Sequence, residues 1–380
     1  MVKMMKKLAI IGGGRMAGIF AKNAKEMNVE THCFSPKKGM IESELFDYCY
    51  DVDVLNVDKV LDICKKIKID GVVATTELTI APASYVAEQM NLIGIPFNTA
   101  INITNKYHNR KKTQNVEGLN HPKYAEVYSI NEILELNFDY PIILKPTSKG
   151  GKRGITVVND ANEIEDAFAY AMKESGNVLP FIVEEFIEGE MECSVESLSY
   201  KGKNYVIQVT EKITSGAPHC VELAHHQPAN ISLEIRKNIE KVIENALSCI
   251  GIENGTCHTE IKIKGDKIYL IEFNARPGGD HIAYPLTQLS TGCEYIKEAI
   301  KIALNEFQPI KKELFIKKCS GVIFVTEQTK EFKKIFDECE NYEWCYKKNF
   351  VKEELDYIVH NDGFNKNYFI YCSESRPIFK

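Results

Sequence analysis

The chain has 380 residues, of which 44% are hydrophobic and 26% are charged, and its formal net charge is −6 at pH 7. This length can hold two or three domains with ample buried core, and the composition is ordinary for a globular protein. The modest acidic balance argues against nucleic acid and membrane surfaces as partners. Twelve cysteines without C-x-x-C or C-x-H spacing favour reduced thiols in the cytoplasm over a disulfide framework or a zinc site.

Neither a signal peptide nor a membrane-spanning segment is predicted. Residues 1–7 are basic, but the apolar run at 8–11 is too short for the hydrophobic region of a signal peptide. No stretch of the sequence approaches the length that is needed to span a bilayer.

The first predicted strand, at residues 8–11, ends in a glycine-rich turn at 12–14 that leads into a helix. The turn matches G-x-G-x-x-A, the pattern of dinucleotide-binding Rossmann units, which also need an acidic residue after the second strand to hold the ribose. The predicted second strand, at 30–34, is followed by Ser35 and a proline instead. A bound nicotinamide dinucleotide is therefore the weaker alternative.

The first hundred residues alternate predicted strands and helices, with another buried strand at 71–74. Glu77 follows this strand closely, at the edge where open α/β sheets line their ligand crevice. We therefore expect Glu77 to face a substrate.

A short apolar strand at residues 140–146 carries Lys145 and runs into a glycine- and lysine-rich loop. Backbone N–H groups around Gly150 and Gly151 can approach phosphate oxygens, while the lysines neutralise their charge. The loop does not fit the Walker A pattern. It predicts a phosphate-binding loop of another kind, and an exposed basic turn is the alternative.

A predicted β-hairpin with its turn at residues 264–266 concentrates metal-binding residue types. If the register of the hairpin has even parity, Glu260 shares one face with Glu272 and Asn274. Such hard oxygen donors suit Mg²⁺, and the planar guanidinium of Arg276 can hold a phosphate or an acyl phosphate. The hairpin therefore predicts a phosphoryl-transfer site rather than a solvated surface.

This hairpin resembles the metal-binding signature of the ATP-grasp superfamily and is close to the pattern in its carboxylate–amine ligases. The likeness extends over nearly the whole chain and implies an α/β (α+β) fold. A Rossmann-like domain that binds no dinucleotide would occupy residues 1–104, and the ATP-grasp domain would occupy 105–308. A small lid subdomain would lie at 127–179, and a small β-rich domain at 309–380 would lie against the active site.

The resemblance also implies the nucleotide-binding residues. Lys145 would contact the α- and β-phosphates under the glycine-rich loop, and Lys106, at the start of a helix, would be a further phosphate ligand. The strand that begins at 181 breaks into an acidic segment, which is similar to the hinge that reads adenine with backbone groups. The hinge residues would be Glu184, Glu185 and Ile187. Glu192 would bind the ribose, with Glu190 as the alternative.

In that family two Mg²⁺ ions, or Mn²⁺ in their place, would be bound by the three oxygen-bearing residues of the hairpin and would bridge the ATP phosphates. Arg276 and the backbone N–H groups of Gly278 and Gly279 would hold an acyl phosphate. Glu222 and His226 resemble the acceptor pocket of ATP-grasp amino-acid ligases. His258, two residues before a predicted metal ligand, is expected on the same face.

The expected function is ATP-dependent formation of an amide or peptide bond through an acyl phosphate, on a small carboxylate and an amine of which one is an amino acid. Many relatives are homodimers, and no nucleic acid or membrane partner is expected. One alternative is an ATP-grasp enzyme of ribotide chemistry, which would need extra arginines near the hairpin. Another is a non-catalytic or dinucleotide-binding module.

Overall fold

The computed structural model describes residues 5–147, 153–189, 191–217, 220–361 and 365–379. Gly150, Gly151 and Glu190 lie outside the described residues. The strands are β1 (Lys7–Ile11), β2 (Glu30–Ser35), β3 (Tyr48–Asp51), β4 (Gly71–Ala74), β5 (Leu119–Asn120), β6 (Tyr124–Val127), β7 (Ile142–Pro146), β8 (Thr156–Val158), β9 (Phe181–Glu185), β10 (Met191–Tyr200), β11 (Lys203–Thr214), β12 (Glu222–Gln227), β13 (Gly255–Lys264), β14 (Lys267–Asn274), β15 (Cys319–Val325), β16 (Cys345–Asn349) and β17 (Asn367–Ser373).

The α-helices are α1 (Arg15–Glu26), α2 (Val57–Ile67), α3 (Ile80–Gln89), α4 (Phe97–Ile103), α5 (Lys106–Thr113), α6 (Ile130–Glu135), α7 (Ile164–Ser175), α8 (Leu233–Ile250), α9 (Thr287–Thr291), α10 (Tyr295–Ala303) and α11 (Lys333–Glu338). Among the described residues, no helix is both long enough and apolar enough to cross a bilayer.

The N-terminal sheet is parallel and has the strand order β3-β2-β1-β4. Helix α1 buries Ala17, Phe20 and Ala24, whose spacing of three and four residues puts them on one face. This arrangement confirms the predicted alternation of strands and helices. Glu77 comes just after the carboxyl end of β4, as the sequence predicts.

A smaller antiparallel sheet has the order β6-β9-β7-β8 and is packed against α6 and α7. Its core includes Leu144 and Val183, from neighbouring strands, and Ala171 from α7. Lys145 lies in β7, and the glycine-rich segment follows β7 in the sequence.

The large sheet has nine strands in the order β16-β17-β15-β12-β11-β10-β13-β14-β5. Helix α8 packs on it with Ile239, Val242, Ile243, Ala246 and Leu247, because these residues recur at helical spacing. The predicted hairpin is confirmed as β13 and β14.

The C-terminal strands are part of the large sheet. Strand β15 pairs with β12, and β17 and β16 follow it, so this segment extends the large sheet. Pairing leaves fewer unpaired strand edges than a separate small sheet would. The domain boundaries at 104 and 308 stay predictions.

A shared hydrophobic core holds the N-terminal sheet against the large sheet. Leu8 and Phe20 pack with Ile296 and Ile300 of α10 and with Ile207 of β11. This packing fixes the position of β4, and hence of Glu77, relative to the β13–β14 hairpin.

Candidate active site

A cavity of about 230 Å³ lies between the small sheet and the large sheet. Twelve of the residues singled out from the sequence line it: Lys106, Lys145, Glu184, Glu185, Ile187, Glu192, Glu222, His258, Glu260, Glu272, Arg276 and Gly279. The lining does not include Asn274, Glu77 or His226. Residues distant in the sequence therefore meet in one cavity.

The register of the hairpin determines which side chains share a face. Glu260 lies directly opposite Glu272, and His258 lies opposite Asn274, with a register shift immediately after Glu260. The even parity expected from the sequence is confirmed. Glu260, Glu272 and Asn274 consequently point to the same side of the sheet.

Glu272 has a cation and an amide as its neighbours. Lys106 Nζ, from the first turn of α5, lies 2.9 Å from Glu272 Oε2, and Asn274 Nδ2 donates to Glu272 Oε1 over 2.6 Å. Burial alone would lower the pKa of Lys106, but Glu272 and Glu77 outweigh it and hold that pKa above the usual value. Burial, followed by the charge of Glu272, raises the pKa of Glu77. Glu77 therefore belongs to the electrostatic surroundings of Glu272 in the β13–β14 hairpin.

Lys212 of β11 is surrounded by carboxylates, a role that the sequence does not reveal. Its Nζ lies 2.7 Å from Glu222 Oε1, 3.1 Å from Glu260 Oε1 and 3.5 Å from Glu192 Oε1. Burial would lower the pKa of this lysine, but the three carboxylates raise it well above the usual value. The lysine holds together acids from three different strands.

His258 is bound on both sides by carboxylates. Its Nδ1 is hydrogen-bonded to Glu196 Oε1, and its Nε2 lies 3.4 Å from Glu260 Oε1. Burial would lower the pKa of His258, but Glu196 outweighs it and the pKa rises to about 9. Gly278 N donates to Glu196 Oε2 over 3.0 Å. The Gly278 N–H, which the resemblance assigns to an acyl phosphate, thus donates to Glu196 in this structure, and that assignment stays a prediction.

The donor set of the hairpin fits a magnesium ion. Two carboxylates and an amide oxygen are hard ligands on one face, and Mg²⁺ typically uses one or two carboxylates with phosphate oxygens and water. The neighbouring ammonium groups of Lys106 and Lys212 compensate the negative charge of Glu260 and Glu272. A bound divalent cation would neutralise part of the negative charge of these two carboxylates.

On the other side of the cavity, Glu184 lies between two cations. Arg110 Nε is 2.8 Å from its Oε1, and Lys145 Nζ is 2.5 Å from its Oε2. Burial would raise the pKa of Glu184, but Arg110 and then Lys145 hold it at about 2. Arg110 Nη2 also donates to the Ile271 carbonyl over 2.7 Å. Arg110, which the sequence analysis did not single out, thus ties the small sheet to the strand of Glu272.

The segment that follows β9 forms an apolar wall of the cavity. Phe186 lies there with Ile143 and Ile155, and the Lys262 ammonium lies 4.5 Å from the centre of the Phe186 ring. Lys262 Nζ donates to the Ile187 carbonyl over 3.0 Å. An apolar wall beside polar backbone groups suits a planar base.

The two adjacent histidines of β12 point in different directions. His225 Nε2 lies 3.1 Å from Glu222 Oε2, and Asp280 completes a group whose ligand atoms lie within 4.8 Å of one another. His226 Nδ1 instead lies 2.9 Å from the Tyr371 hydroxyl, outside the cavity. A register shift near Glu222 changes the side to which each histidine points. The structure thus puts His225, not the predicted His226, beside Glu222.

The C-terminal segment contributes to the cavity wall. Asn361 lines the cavity, and its Oδ1 accepts a hydrogen bond from the Glu222 backbone N–H over 3.0 Å. Burial raises the pKa of the nearby Asp280 to about 6, and the charge of Glu222 adds to the effect. The segment after residue 309 therefore lies against the cavity, as the resemblance implies.

Other segments of the chain pack closely against the glycine turn after β1. Gly12 has φ +107°, and a Cβ there would overlap the Thr75 hydroxyl. A Cβ at Gly13 would lie 2.8 Å from the Gly39 carbonyl oxygen, and Ile41 N donates to the Gly13 carbonyl over 2.7 Å. The glycines therefore permit close approach of neighbouring chain segments.

Residues 138–284 match the family described as the ATP-grasp domain. Alanine–anticapsin ligase of Bacillus subtilis (strain 168) is 27% identical over 246 residues, which cover 59% of this chain and 52% of that protein. The chain thus aligns with about half the length of that relative. Formate-dependent phosphoribosylglycinamide formyltransferase of Wolinella succinogenes is 23% identical over 285 residues, 74% of this chain and 73% of the relative.

The whole chain is similar to the crystal structure of the L-amino acid ligase from Bacillus licheniformis. The TM-score is 0.81 at 22% sequence identity, and the match covers 98% of this chain and 95% of that one. Together with the domain match, this likeness confirms the predicted fold class: an ATP-grasp fold preceded by a parallel α/β sheet.

Proposed function

We propose that this chain, which belongs to the ATP-grasp superfamily, is an ATP-dependent carboxylate–amine ligase that forms an amide or peptide bond with an amino acid as one substrate. One observation carries the proposal. One cavity is lined by two carboxylates that could hold a metal ion and by three cations that could hold phosphate groups. The carboxylates are Glu260 and Glu272, and the cations are Arg276, Lys106 and Lys145. Phosphoryl transfer needs a group of this kind.

ATP would lie with its base against the apolar wall at Phe186, beside the backbone of residues 185–187. Its phosphates would then extend toward Lys145 and Lys106. Lys145 is held by Glu184 in the described structure, so it would turn from that carboxylate toward the phosphates. Glu192 lines the cavity, which supports it as the ribose ligand.

Glu260, Glu272 and Asn274 would hold Mg²⁺, or Mn²⁺ in its place, which when bound offsets the negative charge of the phosphates. Lys106 is already 2.9 Å from Glu272, so it can remain between that carboxylate and a phosphate oxygen. The protein side chains thereby orient the γ-phosphate in line with the attacking group.

In the first step a substrate carboxylate oxygen attacks the γ-phosphorus, the bond to the β-phosphate oxygen breaks, and ADP leaves. The product is an acyl phosphate, which Arg276 would hold with the Gly279 backbone N–H. In the second step an amine attacks the carbonyl carbon through a tetrahedral oxyanion. Inorganic phosphate departs, the amine loses a proton, and an amide remains.

Glu222, with His225 and Asp280 beside it, would form the polar end of the acceptor pocket. Glu77 would take part from the N-terminal sheet through its charge interactions with Glu272, Lys106 and Arg276. The loop around Gly150 and Gly151 would cover the reacting groups and exclude water, which otherwise hydrolyses an acyl phosphate.

The substrates would be small molecules, and we propose a cytosolic enzyme that forms a homodimer. All twelve cysteines are free thiols, which supports a reducing compartment. Ribotide chemistry is the second candidate, because one relative acts in that chemistry by name. Among the described residues that line the cavity, Arg276 is the one arginine, which disfavours a ribotide phosphate as substrate.

The deciding experiment is phosphate release from Mg·ATP in the presence of amino acids offered singly and in pairs. We expect release that requires two amino acids, with ADP and a condensed product identified by mass spectrometry. Release with one carboxylate alone would identify the activated substrate. ATP turnover with a ribotide and with no amino acid would refute the amino-acid ligase proposal.

A further inference from the structure

We propose that Glu196 is a positioning residue that fixes the metal-binding carboxylate of Glu260 and the loop of Arg276 relative to each other. The inference rests on the proposed function, because it assigns Glu260 to a metal and Arg276 to the transferred group. It goes beyond that function by assigning a role to a carboxylate that lies behind the cavity lining.

Glu196 lies in β10, between β11, which carries Lys212, and β13, which carries Glu260. It is opposite His258 in the ladder between β10 and β13, and its side chain is completely buried. A buried carboxylate is costly unless both oxygens are hydrogen-bonded. Here each oxygen has a different partner, and each partner leads to a different part of the site.

The first connection runs through His258 to the metal ligand. His258 Nδ1 is hydrogen-bonded to Glu196 Oε1, which sets the plane of the ring and directs its Nε2 toward Glu260 Oε1, 3.4 Å away. Groups that hydrogen-bond to a metal ligand orient it and tune its affinity. Glu196 thus acts on Glu260 through the imidazole.

The second connection runs to the loop that follows β14. Gly278 N donates to Glu196 Oε2 over 3.0 Å, and Gly278 is two residues after Arg276. A Cβ at Gly278 would lie 2.6 Å from both Glu196 Oε1 and His258 Nδ1. Only a glycine permits this approach, so the loop is held by a hydrogen bond and by close packing together.

A glutamine at position 196 would keep the size of the side chain but change its hydrogen bonding. A carboxylate can accept both the His258 N–H and the Gly278 N–H, whereas an amide has one acceptor oxygen and one NH₂ donor. Glu196→Gln would therefore break or reverse one of the two connections. The cavity-lining residues themselves would stay unchanged.

The test is binding of Mn²⁺ with ADP, measured by the electron paramagnetic resonance signal of unbound Mn²⁺, in the full-length wild type and in Glu196→Gln. We expect binding to weaken about 10- to 100-fold, since loss of a group that supports a metal ligand has effects of that size. The matched control is Ser194→Ala on the same strand. Ser194 is fully buried, and its hydroxyl has no hydrogen-bond partner among the described residues. We expect the control to bind as the wild type does.

Equal binding by Glu196→Gln and wild type, with both proteins folded by circular dichroism, would overturn the role of Glu196 and leave the proposed function intact. Failure of the wild type to bind Mn²⁺ with ADP would overturn both. If Glu196→Gln does not fold, His258→Asn decides the matter, because asparagine can still donate to Glu196 but cannot reach Glu260. Weaker Mn²⁺ binding by folded His258→Asn supports the proposal, and unchanged binding refutes it.

Discussion

The glycine turn after β1 and the β13–β14 hairpin both carry residue patterns typical of nucleotide-binding proteins, but their surroundings differ. At the turn, Gly12 and Gly13 are covered by Thr75 and by the chain around Gly39. At the hairpin, Glu260 and Glu272 face a cavity and are paired with lysines from other elements. Small residues can thus serve internal packing, whereas opposite charges beside a cavity indicate a ligand.

The largest effect is expected from Glu272→Gln, which removes a proposed metal ligand and the partner of Lys106. ATP turnover should fall at least about 100-fold, because the change weakens the binding of the Mg²⁺ ion whose positive charge would stabilise the transferring group. Steady-state ADP release measures this loss. Asp266→Asn, in the exposed turn of the same hairpin, makes the same chemical change outside the cavity and should leave turnover intact. Turnover by Glu272→Gln at the wild-type rate would contradict the metal assignment.

Gly12→Ala, in contrast, should lower the stability of the folded chain and leave its specific activity unchanged. The new methyl group would overlap the Thr75 hydroxyl at a positive φ, so we expect a cost of about 3 kcal/mol in the free energy of unfolding. Urea unfolding measures the cost. Gly14→Ala is the matched control, since a Cβ there meets nothing within 4 Å, and its cost should stay below about 1 kcal/mol. A urea unfolding curve for Gly12→Ala that matches the curve of the wild type would show that the turn can open.

Thermal melting with added ligands tests the difference between the glycine turn and the β13–β14 hairpin without a mutation. At about 100 times its dissociation constant, Mg·ADP should stabilise the folded chain by about 2.7 kcal/mol. NAD should leave the melting temperature unchanged, because the chain itself fills the space around the glycine turn. A rise with NAD that disappears in Gly12→Ala would reinstate the dinucleotide-binding alternative.

A smaller effect is expected from His226, which lies outside the cavity. Burial, followed by the charge of Arg376, lowers the pKa of His226 to about 4, below its value of about 6.5 in an unfolded chain. Between these values the unfolded chain binds a proton that the folded chain excludes, so stability is lost as the pH falls from 6.5 toward 4.

Unfolding by urea at pH 7 and at pH 5 measures this loss. The decrease in free energy of unfolding should be about 1–2 kcal/mol smaller in His226→Asn than in the wild type. His360→Asn, at an exposed position, should behave as the wild type does. Identical pH dependence in all three proteins would show that His226 is protonated in the folded state.

The sequence could predict the features that depend on local alternation. Alternation along a strand puts Glu272 and Asn274 on one face, and Glu260 joins them if the hairpin register has even parity, which it has. The strand and loop of Lys145 and the helix start at Lys106 follow local signals of the same kind. These features need no knowledge of distant contacts.

The features that sequence reasoning missed depend on contacts between distant segments. Nothing near Arg110 indicates its bond to Glu184, and nothing near Lys212 indicates its three carboxylate neighbours. The choice between His225 and His226 depended on a local register shift, which alternation alone does not reveal. Glu196 is opposite His258 of β13, which lies 62 residues further along the sequence.

The pairing of β12 with β15 has a consequence for folding kinetics. Helix α8, the β13–β14 hairpin and α10 all lie between β12 and β15 in the sequence, so the pairing of β12 with β15 closes a very long loop. Pairings of that range form slowly, and until they form an unpaired strand edge is exposed. Glu222 lies in β12, the strand with that edge, so the part of the cavity wall around Glu222 is assembled late in folding. Refolding in dilute solution should therefore restore nucleotide binding before it restores the complete reaction.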